Sequence, residues 1–356
     1  MRPIAPPPGG DGSGTLPADW LASWIAVTGA RRVVAVQPGA DGSALTVAAR
    51  RRQANLRVVD GLDDLDTPGD RVGAEAPDGP AAGAVDPAPG PAAASAPSSP
   101  GAHLPPRRGG RRFDLLFLGA GVRASDLPRG VATLVADAGT LAGAPGLMVA
   151  PLPLGHGAGA ARPALAMADA GPDAAVLAAL DAVRAASERE RPLAPIAPAV
   201  GVLLYVLART RRARRVLDLG TSGGAAALWL GSAVARSGGH VTAIERDAQR
   251  ALMARKGLRR AGLADRVSVE IGEVARLAPR LAGSYDLVFM DEDPEDRADD
   301  LTALLPRCAA GAVVISHGAG ADPGRLAGVN ALLRSLPRVT ATLGVAVGDG
   351  LTLAVV

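Results

Sequence analysis

Lysine, cysteine and aromatic residues are scarce in this sequence, and each scarcity excludes a class of function. Lys256 is the single lysine, so 37 of the 38 basic residues are arginine. Cys308 is the single cysteine, which excludes a disulfide framework and any zinc site that takes two or more cysteines from this chain. Aromatic residues make up only 2% of the chain, too few for the stacking platforms that bind single-stranded nucleic acid.

The sequence also lacks the long apolar runs that export and membrane insertion require. No apolar segment follows Met1 in the Pro- and Gly-rich start, and the longest apolar stretch, about residues 196–208, is too short to span a bilayer. The formal net charge is only +3, which is poor evidence for a nucleic-acid partner. We therefore expect a cytoplasmic protein that binds neither nucleic acid nor membrane.

Composition divides the 356 residues into segments. Residues 1–15 are rich in Pro and Gly, and residues of about 68–112 combine Pro-Ala-Pro-Gly repeats with an arginine cluster. Neither segment has enough apolar surface to offset the entropy lost on ordering. We expect a disordered tail at 1–15, a domain at 16–170 with a disordered insertion at about 68–112, and a second domain at 173–356.

In the second domain, strand and helix patterns alternate. Apolar runs predict five strands, over 216–219, 240–244, 267–271, 285–290 and 312–315. Helical periodicity predicts helices from 173 and over 225–235, 247–261, 273–281, about 301–308 and about 326–336. Two final runs flank Gly348-Asp349-Gly350, a pattern typical of a hairpin. The predicted fold is α/β: a doubly wound, Rossmann-like parallel sheet with a C-terminal antiparallel hairpin.

The first half looks like a degenerate, smaller copy of the second. Three motifs recur in the same order: 30–34 parallels 213–217, 113–117 parallels 285–289, and 154–157 parallels 347–350. Positions that carry chemistry in the second half are altered in the first, where Ala35, Gln37 and Gly119 stand for Asp218, Gly220 and Asp291, and only Asp60 offers a counterpart to Glu245. We expect a pseudo-domain that does not bind a cofactor in the same way.

The clearest chemical motif is Val216-Leu217-Asp218-Leu219-Gly220-Thr221-Ser222-Gly223-Gly224. A glycine turn after a strand lets a ligand approach the backbone, and the next helix offers free N–H groups there. A carboxylate at Asp218 suits a cationic ammonium group, whereas a pyrophosphate would be unfavourable beside it. Glu245, at the end of the second strand, suits two ribose hydroxyls. The alternative to a ligand site is that the glycine turn only caps the next helix and that Glu245 is a surface residue.

Over about residues 173–356, the sequence resembles the class I S-adenosylmethionine-dependent O-methyltransferases of the caffeoyl-CoA and catechol type, especially small actinobacterial members. The motifs that carry the resemblance are 197–201, 218–224, Glu245, Gly272-Glu273, 285–291 and 348–350. The resemblance implies S-adenosylmethionine as cofactor and a small-molecule methyl acceptor. The cofactor-binding residues that it implies are Asp218, Gly220, Thr221, Ser222, Gly224, Glu245, Arg246, Gly272, Glu273, Val274 and Asp291.

The catalytic positions depart from this family. Its members usually bind a divalent cation through an aspartate after the fourth strand and an Asp-Asn pair after the fifth, with a lysine beyond the first aspartate as base. Here Asp291 is kept, His317-Gly318 replaces the pair, and Pro294 replaces the lysine. Mg²⁺ prefers carboxylate and water oxygens to imidazole, so a divalent metal is doubtful and no metal ligand is assigned.

Asp291 and His317 remain as candidate catalytic residues, because an imidazole with a carboxylate partner can take a hydroxyl proton without a metal. The alternative for His317 is an exposed residue at a strand end. The acidic segment from Asp291 to Asp300 is interpreted as a solvated loop and helix start.

Two other functions stay open at this point. The altered metal and lysine positions would also suit a non-catalytic, cofactor-binding pseudoenzyme with a regulatory or scaffolding role. A nicotinamide-dependent oxidoreductase is disfavoured by Asp218 and by the hairpin. We expect either a monomer, in which the first half packs on the second as an intrachain pseudo-dimer, or a homodimer.

Overall fold

A computed structural model describes residues 16, 18–36, 42–59, 115–118, 132–135, 141, 146–152, 163–189, 195–291, 296–318 and 327–356. The predicted tail at 1–15 and insertion at 68–112 lie outside these residues, as do Gln37, Asp60, Gly119 and residues 154–157. In the described part of the chain, no helix is both long enough and apolar enough to cross a membrane.

The described elements form two sheets with helices packed on them. The helices are α1 (Ala18–Thr28), α2 (Gly42–Arg51), α3 (Ala174–Arg189), α4 (Pro198–Thr210), α5 (Ala225–Ala235), α6 (Ala248–Arg260), α7 (Val274–Leu277), α8 (Arg297–Leu304) and α9 (Ala327–Ser335). The strands are β1 (Arg32–Val36), β2 (Asn55–Val59), β3 (Leu115–Leu118), β4 (Ala132–Val135), β5 (Leu147–Pro151), β6 (Ala164–Ala168), β7 (Arg215–Leu219), β8 (His240–Glu245), β9 (Val267–Ile271), β10 (Tyr285–Met290), β11 (Cys308–His317), β12 (Ala341–Val345) and β13 (Leu351–Val355).

The second sheet has seven strands in the order β12-β13-β11-β10-β7-β8-β9. The pairs β11-β10, β10-β7, β7-β8 and β8-β9 are parallel, whereas β13 runs antiparallel to both β11 and β12. This confirms the prediction of an α/β fold built on a mostly parallel sheet. The order places β7 in the middle of the five parallel strands, so its carboxyl end lies between those of β8 and β10.

Burial explains why these segments adopt their conformations. Residues 216–219 of β7 are buried, as a central parallel strand covered on both faces requires. Helix α5 is apolar all round and has buried residues on every side. Helix α6 has an exposed arginine-rich face, and the side chain of Asp247 caps its start by accepting from the backbone N–H groups of Gln249 and Arg250.

Two helices predicted from periodicity are shorter than expected, and proline explains both. The helix expected over 273–281 is α7 followed by a 3₁₀ turn at Ala278–Arg280, which contains Pro279. The helix expected to reach Cys308 ends in a second 3₁₀ turn at Leu305–Arg307, which contains Pro306. Cys308 is buried, but it begins β11 instead of continuing a helix face.

The first sheet has six strands in the order β2-β1-β3-β4-β6-β5, with parallel pairs as far as β4 and antiparallel pairs at β4-β6 and β6-β5. Helix α1 packs against β12 and β13 of the other sheet. Ser23 donates to the backbone oxygen of Thr342 at 3.3 Å, and Arg211 bonds the backbone oxygens of Val27 and Gly311. One hydrophobic core therefore continues from the first half into the second.

Candidate functional site

A cavity of about 610 Å³ lies where the carboxyl ends of β7, β8, β10 and β11 meet. Nine residues predicted for the site line it: Gly220, Ser222, Glu245, Arg246, Gly272, Glu273, Val274, Asp291 and His317. Of the other three, Asp218 lies in β7, and Thr221 and Gly224 lie in the turn between β7 and α5. The structure thus brings the predicted residues together at one edge of the sheet.

The glycine turn between β7 and α5 forms the floor of the cavity. Gly220 has φ +73° and Gly224 has φ +92°, in the left-handed region that favours glycine. A Cβ on Gly224 would lie 3.0 Å from the Cα of Ala254 in α6. A side chain at this position would therefore be strained by its backbone conformation and by its neighbour, which explains why the turn contains glycine there.

Glu245 ties this turn to the end of β8. Its side chain is buried, with Oε2 accepting from the backbone N–H of Ser222 at 2.7 Å and Oε1 from that of Asp247 at 2.9 Å. Each carboxylate oxygen keeps a second lone pair, and the residue lines the cavity. The alternative of a surface glutamate is wrong. The carboxylate is held in place and can accept from two hydroxyl groups of a ligand.

Asp218 lies below the turn and is fully buried. Its Oδ2 accepts from the hydroxyl of Thr221 at 2.5 Å, and its Oδ1 has no hydrogen-bond partner among the described residues. Burial raises the pKa of Asp218 to about 7, the Thr221 hydrogen bond opposes this rise, and the charges of Asp291 and Glu245 add to it. A buried carboxylate with a free oxygen is a place where a cationic ligand would be stabilised.

His317 ends β11, and its ring contacts Asp291 at the end of the neighbouring strand β10. The imidazole Nδ1 lies 2.8 Å from Oδ1 of Asp291, and Nε2 is buried with no hydrogen-bond partner among the described residues. His317 is only 7% exposed, so the alternative of an exposed strand-end histidine is wrong. Because an ionised carboxylate only accepts hydrogen bonds, Nδ1 donates to it, and in the neutral form of the imidazole Nε2 is then an acceptor.

Arg297 and Asp300, on α8, are pocket residues that the sequence did not single out. The acidic segment was predicted to be a solvated loop and helix start. A helix does begin there, at Arg297, but both side chains are buried, so the prediction of a solvated surface is wrong for these two residues. Burial raises the pKa of Asp300 to about 6, with Asp296 adding to the shift, while the Ala275 backbone hydrogen bond opposes it. Residues 292–295, including Pro294, lie outside the described residues.

The described residues do not form a site for a hard cation. In that part of the chain, no group of three or more His, Cys, Asp or Glu side chains is arranged to hold a metal ion. The carboxylate of Asp291 instead faces an imidazole at 2.8 Å and the guanidinium of Arg297 at 4.0 Å. Mg²⁺ takes oxygen ligands, and a neighbouring guanidinium repels it electrostatically.

Comparisons with known proteins agree with this geometry. A family described as a methyltransferase domain matches residues 217–319. The catechol O-methyltransferase of Mycobacterium tuberculosis is 39% identical over 146 residues, which is 41% of this chain and 64% of the relative, so the chain spans just under two thirds of that relative's length. A protein of Mycobacteroides abscessus that carries the name O-methyltransferase is 35% identical over 187 residues, 48% of this chain and 86% of the relative.

One solved structure is also similar over the second half. The O-methyltransferase TomG of Streptomyces achromogenes, which is involved in tomaymycin synthesis and was solved with S-adenosylmethionine, is 30% identical. The match covers 52% of this chain and 90% of that chain, with a TM-score of 0.45.

Proposed function

The chain belongs to the class I S-adenosylmethionine-dependent O-methyltransferases, and we propose that its second half methylates a hydroxyl oxygen of a small molecule without a metal ion. The observation that carries this proposal is the pairing of His317 with Asp291 across the cavity from Glu245. One side of the cavity offers a fixed carboxylate for a cofactor, and the other offers a buried base.

The residues present suit the cofactor. S-adenosylmethionine supplies a methyl group on a positively charged sulfonium. Glu245, held by Ser222 and Asp247, is the group that would bind the ribose hydroxyls. Asp218 has an unpartnered buried oxygen next to the turn, where a neighbouring positive charge would favour its ionised form. The segment 272–274 lines the cavity beyond Glu245 and would lie near the adenine.

Proton removal falls to His317. With Nδ1 held by Asp291, the lone pair of Nε2 is directed away from the carboxylate and has no partner among the described residues. An acceptor hydroxyl at Nε2 would give up its proton there as its oxygen is methylated. The remaining contribution to the rate is positioning of the two reactants.

A binding experiment and a turnover experiment on the full chain test this proposal. Calorimetric titration should detect binding of S-adenosylmethionine and S-adenosylhomocysteine, and none of NAD. Turnover on a panel of catechols should then give S-adenosylhomocysteine at the same rate in Mg²⁺ and in chelator. The absence of binding heat with either methionine-derived ligand would make the proposal wrong.

We also propose that residues 16–170 are a non-catalytic copy of the same fold that packs on the second half. The order and directions of β2-β1-β3-β4-β6-β5 match those of β8-β7-β10-β11-β13-β12, and only a counterpart of β9 is missing from the described residues. Ala35, buried in β1, stands where β7 has Asp218. A cytoplasmic location belongs to the same proposal and rests on the sequence.

Contacts between the halves support this arrangement. Asp169, which follows β6, accepts from the hydroxyl of Tyr205 at 3.0 Å and from the guanidinium of Arg209 at 3.0 Å, both on α4. Arg211 joins Val27 and Gly311. The full chain should therefore sediment as a monomer. If the fragment 173–356 alone is a stable, fully active homodimer, this part of the proposal is wrong.

A further inference from the structure

Arg297 is a buried cation at the catalytic end of the cavity. It begins α8, its side chain is 3% exposed, and it lines the cavity. Its Nη1 donates to the backbone oxygen of His317, and its Nη2 lies 4.0 Å from Oδ1 of Asp291. Because a guanidinium keeps its proton in proteins, Arg297 places a permanent positive charge beside the Asp291–His317 pair.

Gly318, which follows His317 at the end of β11, lies next to this guanidinium. Its φ of +97° is in the region that favours glycine. A Cβ there would lie 3.9 Å from Nη1 of Arg297, which is ordinary van der Waals contact. The backbone conformation, and not a lack of space, therefore favours glycine beside the buried arginine.

We propose that Arg297 is the positioning residue of this site and supplies, beside Asp291, the fixed positive charge that a divalent cation would otherwise supply. This inference rests on the proposed function and deepens it. Nη1 of the guanidinium donates to the backbone oxygen of His317, and Nη2 attracts the carboxylate of Asp291. Together they hold the imidazole of His317 in one orientation.

The step that this arrangement serves is balanced without a metal or a redox partner. The acceptor O–H bond breaks and its proton goes to Nε2 of His317. The acceptor oxygen forms a bond to the methyl carbon, the bond from that carbon to sulfur breaks, and its electron pair stays on sulfur. Arg297 takes no part in these bond changes, and its contribution is the orientation and the charge of the pair that receives the proton.

The test compares Arg297→Gln and Arg297→Lys in the full chain with Arg338→Gln as the matched control. Arg338 donates to the backbone oxygens of Leu305 and Cys308, at the other end of β11. With catechol as acceptor, Arg297→Gln should lower kcat by about 100-fold, with the Kd for S-adenosylhomocysteine within threefold of wild type. Arg297→Lys should recover part of the loss because it keeps the charge but not the planar fork. Arg338→Gln should keep the wild-type kcat.

A second measurement does not depend on turnover. The proton on Nδ1 of His317 should give a downfield nuclear magnetic resonance signal, identified by its loss in His317→Asn. That signal should persist in Arg338→Gln and should be lost to solvent exchange in Arg297→Gln. If the wild type transfers no methyl group but this pattern holds, the proposed function fails and the positioning role stands.

Two results would overturn the inference: an unchanged kcat and an unchanged signal in Arg297→Gln, or loss of wild-type turnover in chelator with recovery in Mg²⁺. If Arg297→Gln does not fold, Arg297→Lys and the wild type in chelator decide the matter.

Discussion

The imidazole Nδ1 of His317 and the carboxylate Oδ1 of Asp291 lie 2.8 Å apart, at the ends of the neighbouring strands β11 and β10. The hydrogen bond fixes the ring, so Asp291 sets the orientation of Nε2. This relationship supports a base that works without the lysine that the family usually has. Lys256, the single lysine of the chain, is exposed on α6.

Substitution of His317 by Asn should remove the base and leave the cofactor site intact. We expect kcat to fall by about 100-fold or more, because general base catalysis contributes at least that much. The Kd for S-adenosylhomocysteine should change little, since His317 does not contact the Glu245 side of the cavity. Initial rates and calorimetry measure the two quantities.

The control for this variant is His240→Asn. His240 is exposed at the start of β8, where its Nε2 lies 3.1 Å from the hydroxyl of Ser268. It should keep wild-type kcat and Kd. Equal rates for His317→Asn and the wild type would show that solvent, and not this imidazole, takes the proton.

Substitution of Glu245 by Gln should weaken cofactor binding more than it slows chemistry. Two backbone N–H groups hold the carboxylate in place, and a hydrogen bond that a ligand hydroxyl donates to a charged group contributes about 1.5–3 kcal/mol. We expect the Kd for S-adenosylhomocysteine to rise by about 10- to 100-fold, as measured by calorimetry.

Glu270→Gln is the matched control, because Glu270 is exposed on β9 directly beside Ile244 of β8. Its Kd should stay at the wild-type value. A Glu245→Gln variant that binds as tightly as this control would contradict the role of Glu245 in holding the ribose.

Sequence patterns predicted the elements around the site because burial there is continuous. The strand at Tyr285–Met290 and the helix at Ala225–Ala235 have the predicted bounds, since apolar residues fill both segments and polar or glycine residues end them. Asp218 and Glu245 were identified because each carboxylate interrupts an apolar strand end, which local pattern reveals.

Arg297 could not be identified in this way. It follows a run of acidic residues that is typical of a solvated loop, and its burial depends on the end of β11, twenty positions away in the chain. Apolar periodicity continues past Pro279 and Pro306 and so does not reveal that the helices end there. Proline ends them because it has no N–H to donate to the preceding turn.

Substitution of Gly201 by Ala should destabilise the protein through overpacking. Gly201 lies in α4, and a Cβ there would overlap the indole ring of Trp229 in α5, which is itself buried. We expect a loss of about 1–3 kcal/mol in the free energy of unfolding, measured by chemical denaturation.

Gly257→Ala provides the opposite case. Gly257 lies within α6, and a Cβ there would meet no atom within 4 Å. Alanine should therefore stabilise the helix by about 0.5–1 kcal/mol. If Gly201→Ala is as stable as Gly257→Ala, the close packing of α4 against Trp229 is not as described.

Substitution of Asp218 by Asn should change how stability depends on pH. Burial raises the pKa of Asp218 from 3.8 to about 7, so between these values the folded protein holds a proton that the unfolded chain has released. The contribution of this group to stability is therefore greatest at low pH and is lost as the pH rises towards 7. Above pH 7 the buried charge costs on the order of 4 kcal/mol, an upper bound for a single carboxyl group.

Asparagine keeps an acceptor for the hydroxyl of Thr221 and carries no charge at any of these pH values. The midpoint of thermal unfolding of the cofactor-free variant should match that of the wild type only below about pH 4, should already exceed it at pH 5, and should exceed it by several degrees more at pH 8. Calorimetry of both proteins from pH 5 to 8.5 gives this difference directly, because all other titrating groups are shared. A constant difference across the range would contradict the raised pKa, and would mean that Asp218 is ionised in the folded protein at pH 5 as well.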